Sequence, residues 1–429
     1  MEKLIFEIGT EEIPAKFMPA ILAQLKDLTE KKMTELRIPF EAVKTYGTPR
    51  RMTFIASGVA EAQEDSTVEA KGPSAKIAFV SGAPSKAAIG FARGQGVDVK
   101  ELVVRDDYVY AVKHLAGQPV KDLLPGLLTD IPKNMRWADH EFKFVRPIRW
   151  LVALFGDEVI PVEITGVKSG KFSRGHRFLR PSALDNAKAH ESIGDAAKAL
   201  FDTVKSKAKN AVASAAIGTI GAVEIPDADS YEKVMYDNYV MVDQDARREL
   251  IRQQVTDLAI AEGGHAEINE DLLEEVNYLV EWPTALCGKF EEKFLALPKE
   301  CIITPMREHQ RYFPVLAEDG SLLNKFITVR NGGKEHLEIV AHGNERVLRA
   351  RLSDAEFFFN EDRKQTLADR LEKLKTVSFQ EGLGNMNDKS KRLVQAVDML
   401  AMAINAKVDK EKLERTALLC KCDLVTGMV

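Results

Sequence analysis

The feature that most constrains this chain is a change of character across residues 185–222, where large side chains thin out and alanine and lysine take over. A stretch with so little apolar surface cannot nucleate a packed core, so it reads as an exposed helix, an insertion or a linker between separately folded parts. The patterning on either side is strong. With 429 residues, 45% hydrophobic and 29% charged, there is too much chain for one core. The sequence therefore predicts an α+β multidomain protein: an N-terminal mixed α/β region with a basic surface at 1–184, an Ala/Lys-rich insertion or linker at 185–225, a second α+β region at 226–335, and a helical domain at 336–429.

Before the break, LIFEIGTEEIP reads as an apolar strand, a Gly-Thr turn and a helix entered with Thr10 as cap. Glu7, Glu11 and Glu12 then fall at a helix start, where carboxylates oppose the dipole of the first turn; this is a simpler use for them than paired catalytic acids. Helix is expected to about Leu36, from Phe17, Ile21, Leu25 and Leu28 recurring every three to four residues. MTFIASGVA, YVYAVKHL, IRWLVALFG and VIPVEITGV read as strands, the last two joined by a Gly-Asp turn. The Gly-rich stretch 71–96 holds a short helix ending at Gly94 or Gly96. After the break, 246–280 is helical, EWPTAL opens a strand and turn region to Gly333, and everything from about His342 is helix. LCKCDLVTGMV carries no capping residue, so the last helix and its domain are expected to continue beyond Val429.

No apolar run approaches the roughly 18 residues needed to span a bilayer, and acids interrupt any signal-peptide layout at once. Cys287, Cys301, Cys420 and Cys422 form no CxxC pair, which argues against a disulfide framework and a zinc ribbon. A soluble, cytoplasmic protein with no membrane partner is expected.

Net charge is −5, which speaks against a polyanionic partner until it is resolved by position. Between Lys133 and Arg180 there are ten Lys or Arg against five Asp or Glu. FVRPIRW sets Arg146 and Arg149 three apart with Pro147 fixing the backbone, and SRGHRF places Arg174, His176 and Arg177 around a glycine. Lys133 and Arg136 begin the same basic run. YGTPRR presents Arg50 and Arg51 on a turn, and MREHQRYF concentrates Arg307, His309 and Arg311 before two aromatic residues. Arginine suits RNA because its planar fork pairs with phosphate and stacks on bases. Ordinary pairing with local Asp and Glu is the competing use of each.

The blocks EIGTEEIPAKF, YGTPRR, KGP, GFARGQGV, MRW, FVRPIRWLVALFGDEVIP, SRGHRF, LVEWPTALCGKF, FLALPKE, MREHQRYFPV, NERVLRARLSDAEFFF and DLVT resemble, in order, the glycyl-tRNA synthetase β subunit. They cover residues 1–180 and 230–429. The resemblance implies a tRNA-binding fold like the B3/B4 region of phenylalanyl-tRNA synthetase, an HD-like helical domain, and an anticodon-binding domain lying beyond Val429. It further implies an α2β2 complex in which the α subunit uses ATP, Mg²⁺ and glycine, while β handles tRNA(Gly) and binds no cofactor itself. Two departures stand out: the segment 188–222, and Gly427 where an acid is expected.

Several catalytic readings are excluded by spacing. GVKSGKF misses the phosphate loop by one residue and ends in Phe, and His265-Ala-Glu267 has no downstream PCxxC. No histidine follows His342, so an HD-type metallophosphohydrolase on the late helices lacks its usual ligands. No catalytic or metal-binding residue is assigned. The rival functions are a free-standing RNA-binding or scaffold module and a phosphohydrolase.

Overall fold

The computed structural model describes residues 1–80, 83–130, 136–137, 140–143, 146–179 and 221–429, the backbone alone at 136–137 and 140–143. The segment 185–220, Lys133 and Arg180 lie outside the described residues. The architecture is mixed α/β with several separate sheets. Two compact units emerge: Met1–Ile251 with Leu273–Thr284 and Arg330–Gly333, and Arg252–Leu272 with Ala285–Val329 and Lys334–Val429. The first unit is thus discontinuous in sequence.

Its centre is strand β1 (Glu2–Thr10), hydrogen-bonded on both sides and buried from Leu4 onward. β2 (Ala42–Thr48) and β3 (Arg51–Val59) form an antiparallel pair on one flank, and β4 (Ile148–Phe155) lies antiparallel on the other. Beyond β4 come the short strands Val167–Gly170, parallel to it, and Glu163–Ile164, completing the order Glu163–Ile164, Val167–Gly170, β4, β1, β3, β2. Glu158–Val159 folds back on β4 through the Gly156-Asp157 turn, where Gly156 takes φ 61°. The turn was legible, but the second strand is broken into short pieces.

Alternation along β1 sends Leu4, Phe6 and Ile8 to one face, where they meet helix α1 (Met18–Glu35) and Leu124 and Leu128 of helix α2 (Val120–Thr129). Ile5, Glu7 and Gly9 point the other way, toward Trp150, Val152, Val223, Tyr231 and Met235. Both faces are therefore covered, which explains why β1 reads as a nearly unbroken apolar run. The expected helix start at Thr10 is corrected: Gly9 and Thr10 still have ladder partners in Arg51, Trp150 and Ile148, so the strand continues and the helix begins only at Met18, after a short turn at Ala15–Phe17. Thr10 caps nothing, and Glu7 is a strand residue.

A small excursion between β3 and α2 pairs Ser66–Ser74, Tyr108–Leu115 and Leu102–Arg105 in that order, with helix Lys86–Gln95 capped by Ser85 and stopped at Gly96 in the left-handed region. In the second unit, Phe290, Phe294, Ile302, Met306, Tyr312 and Phe326 pack with Leu348 and Leu352 of helix α3 (Leu337–Asp362). The late region is not helix throughout: the short paired strands Ser378–Gln380 and Gly384–Asn385 intervene before helices Met386–Ala403 and Lys410–Leu419. Gly427 donates its N–H to Asp362 at 2.8 Å, and a Cβ there would meet Phe358 at 2.8 Å, so a side chain at this departure would have to displace that exposed ring.

Candidate nucleic-acid interface

Four of the blocks singled out in sequence meet at one end of β1. Thr10 donates its N–H to the Arg50 carbonyl at 2.7 Å, Glu11 to Pro147 at 3.2 Å, and Ile13 to Pro49 at 2.7 Å. His176 donates its backbone N–H to Asn238 at 3.0 Å. EIGTEE, YGTPRR and FVRPIRW are therefore stitched together by main chain, SRGHRF is tied to them by the Arg50 side chain on the Gly175 carbonyl, and Glu281 and Asn331 join them from far along the chain.

Beneath this end lies a buried polar network. Arg51 is fully buried: its Nη2 reaches Glu281 Oε1 at 3.0 Å, Nε reaches Thr48 Oγ1 at 3.1 Å, and Nη1 reaches Ser173 Oγ at 3.2 Å and lies 3.8 Å from Glu7. Arg50 reaches the second Glu281 oxygen at 2.6 Å and the Gly175 carbonyl at 3.2 Å. Glu7, also fully buried, accepts from Trp150 Nε1, from Ser173 Oγ at 2.5 Å and from Tyr231 OH at 2.5 Å. Two guanidinium groups thus face two carboxylates, and the lone pairs are occupied, the condition under which buried charge is tolerated. Burial alone would raise the Glu281 pKa; the charges of Arg51 and Arg50, with hydrogen bonds from Arg50 and Thr48, outweigh it and hold the carboxyl at about 2. Burial also pushes the Tyr231 phenol well above its ordinary value, reinforced by Glu7.

Gly9 makes this geometry possible. Its neighbours across the ladder are Arg51 and Trp150, and a Cβ on Gly9 would fall 1.9 Å from the indole. Trp150 lies over the glycine, with the Arg51 guanidinium 5.5 Å and that of Arg174 5.9 Å from its ring. Arg247, buried nearby, binds the carbonyls of Gly47 at 2.8 Å, Asn277 at 3.0 Å and Met241. Burial lowers its pKa to about 10, so it stays charged at neutral pH.

His176 is buried and its protonation state is legible from its partners. Asn331 Oδ1 accepts the backbone N–H groups of Glu281 at 2.9 Å and Trp282 at 3.1 Å, so Nε2 of His176, 2.9 Å away, must donate to it. Nδ1 then accepts from the N–H groups of Phe178 at 3.2 Å and Leu179 at 3.1 Å. The ring is neutral, and burial, with Arg50 and Arg51 close by, lowers its pKa against the opposing pull of Asn331 and Glu281.

The exposed rim is arginine-rich and partly neutralised. Arg149 pairs with Glu11 at 2.5 Å, Arg177 with Glu12 at 3.0 Å, and Arg146 Nε donates to the Glu12 carbonyl at 2.9 Å. Glu11 and Glu12 thus hold arginines rather than a helix start. Arg136 lies on the two-residue strand Arg136–Trp137. Arg307, His309 and Arg311 belong to the second unit, on the π-helical turn Pro305–Gln310 that Arg311 closes at φ 59°; buried Met306 and Tyr312 anchor this turn, Tyr312 stacking on Phe326 at 4.5 Å. Sequence reasoning missed Glu281, Asn331, Tyr231 and Arg247. The one usable signal was that two arginines in YGTPRR and a charge within the apolar β1 run each demand partners. No group of three or more His, Cys, Asp or Glu positioned for a metal occurs among the described residues, and no described helix is long and apolar enough to cross a membrane.

The fold and this site together define a multidomain α+β protein that carries an arginine-lined rim over a buried, ion-paired network. The chain belongs to the glycyl-tRNA synthetase beta subunit family, whose model matches residues 4–217 and 195–429. It is 46% identical over 438 residues to the glycine–tRNA ligase beta subunit of Moorella thermoacetica, covering 99% of this chain and 58% of that protein. The corresponding protein of Desulforamulus reducens is 45% identical, with 99% and 57% covered, and that of Bacillus subtilis 41%, with 100% and 59% covered. The chain thus spans a little under three fifths of the length of these curated relatives.

Proposed function

We propose that this chain acts as the β subunit of glycine–tRNA ligase, binding and positioning tRNA(Gly) while an α subunit, in an α2β2 complex in the cytoplasm, performs ATP- and Mg²⁺-dependent glycylation. The observation that carries this reading is the family match running through both compact units without a gap between its two matched segments. The rim supports it: three arginines, Arg146, Arg149 and Arg177, gather around Glu11 and Glu12 at one end of the sheet, where a phosphate backbone would be met. On this reading the first unit contains the B3/B4-like tRNA-binding fold and the late helices the HD-like domain. ATP, Mg²⁺ and glycine are held by the α subunit, and the contribution of this chain is orientation, which is worth several kcal/mol without a catalytic side chain. The test is glycylation of tRNA by a cognate α subunit with and without this chain. Strong stimulation is expected; equal rates in both reactions would overturn the reading.

A further inference from the structure

Phe178 closes the SRGHRF block, yet the residue is 77% exposed. A lone exposed ring is ordinary, but this one is presented by a turn fixed from within. The backbone N–H groups of Phe178 and Leu179 are both bound by Nδ1 of buried His176, whose Nε2 is in turn tied to Asn331. The imidazole backs the phenyl ring edge-on, with centroids 6.2 Å apart. The same Asn331 oxygen anchors the backbone of Trp282, whose indole holds Tyr236 at 5.0 Å and Tyr239 at 5.3 Å. Tyr236 is 53% exposed, and Tyr239 adopts φ 59°, a left-handed conformation costly for a bulky residue. Arg177 neighbours Phe178 in the turn.

Rigid aromatic rings beside guanidinium groups are the means by which proteins take single-stranded nucleic acid, since every base offers a π-face and every linkage a phosphate. We propose that Phe178 is a stacking post for an unpaired RNA base, with Arg177 meeting the adjoining phosphate and His176 and Asn331 acting as positioning residues that lock the turn. This rests on the reading that the partner is tRNA. A base-paired stem does not satisfy the site, because its bases have no free face to offer.

The test is binding of whole tRNA and of an unstructured oligoribonucleotide to the full chain over a range of salt. Phe178→Ala should weaken oligonucleotide binding about 5- to 150-fold, the effect of losing one base–aromatic stack, with the salt slope unchanged. Phe178→Trp should restore it, and Arg177→Gln should lower the slope by about 0.7, the value for one phosphate contact on a single strand. A duplex of the same sequence should be indifferent to Phe178→Ala. Undiminished oligonucleotide affinity in a Phe178→Ala chain of unchanged Tm would overturn the inference and leave the tRNA reading standing, as would loss of α-subunit association with RNA affinity intact. Failure of the unaltered chain to bind any RNA would overturn both.

Discussion

Arg51 and Glu281 are 230 positions apart in sequence and 3.0 Å apart in the fold. Removing one member of a buried, fully bonded charge set strands the other, at a cost of about 3–5 kcal/mol. Glu281→Gln is therefore expected to lower the unfolding free energy by that amount, read from the urea midpoint at constant m-value. A change below about 1 kcal/mol would show that the pair is dispensable. The same carboxyl sits at about 2, below its unfolded value, so its contribution is complete above the unfolded value and is lost as pH falls toward 2. His176 acts in a higher window. Its folded pKa is depressed, so below the unfolded value of about 6.5 the unfolded chain takes a proton that the folded chain refuses. Stability should decline as pH drops through 6.5, and His176→Gln should flatten that part of the curve; an unchanged slope in the variant would contradict the neutral, Nε2-protonated assignment.

At the level of elements, local pattern told most where a segment's neighbours are close in sequence. Strand Tyr108–Leu115 and the Gly156-Asp157 turn emerged where alternation and turn chemistry place them. The start of α1 did not, because EIGTEEIP has every mark of a capped helix, and only the two flanking strands, β3 and β4, decide that β1 runs through Thr10. For the same reason Arg50, Arg51, Arg149 and Arg177 could be named from sequence but not their partners: Glu281 lies in another block, and Glu11 and Glu12 had a local use to hand. Gly9 gives the element-level test. Gly9→Ala would place a methyl group inside the Trp150 ring, so β4 must shift, costing about 1–3 kcal/mol or more and altering the near-ultraviolet signal of the indole. An alanine variant with native stability and spectrum would show that the two strands are not held this closely.

For the molecule as a whole, the family match that runs through both compact units fixes the class of protein, and the order of the sequence blocks points to the same family. The chain by itself is expected to catalyse no glycine-dependent pyrophosphate exchange, because it carries no phosphate loop and no recognised adenylate-forming motif; exchange by chain free of α subunit would refute this. The rim makes a separate demand. Charge reversal at Arg146 and Arg174 should weaken tRNA binding and flatten its salt dependence, and a folded double variant with wild-type affinity and slope would place the polyanion elsewhere.

The long reach of the buried network also sets a clock. The first unit draws residues from Met1 to Ile251 but also needs Leu273–Thr284 and Arg330–Gly333. A ribosome that has just added Arg51 must still add the 230 positions that separate it from Glu281, roughly 10–45 s of synthesis at about 5–20 residues per second. Throughout that interval Glu7, Arg50 and Arg51 have no complete set of partners, and the nascent sheet cannot close over them without burying uncompensated charge. Protease resistance of ribosome-bound chains should therefore appear abruptly once Glu281 leaves the exit tunnel, not when β4 does. Until then this part of the chain is expected to stay open to proteases and chaperones, held so by a single carboxylate that arrives late.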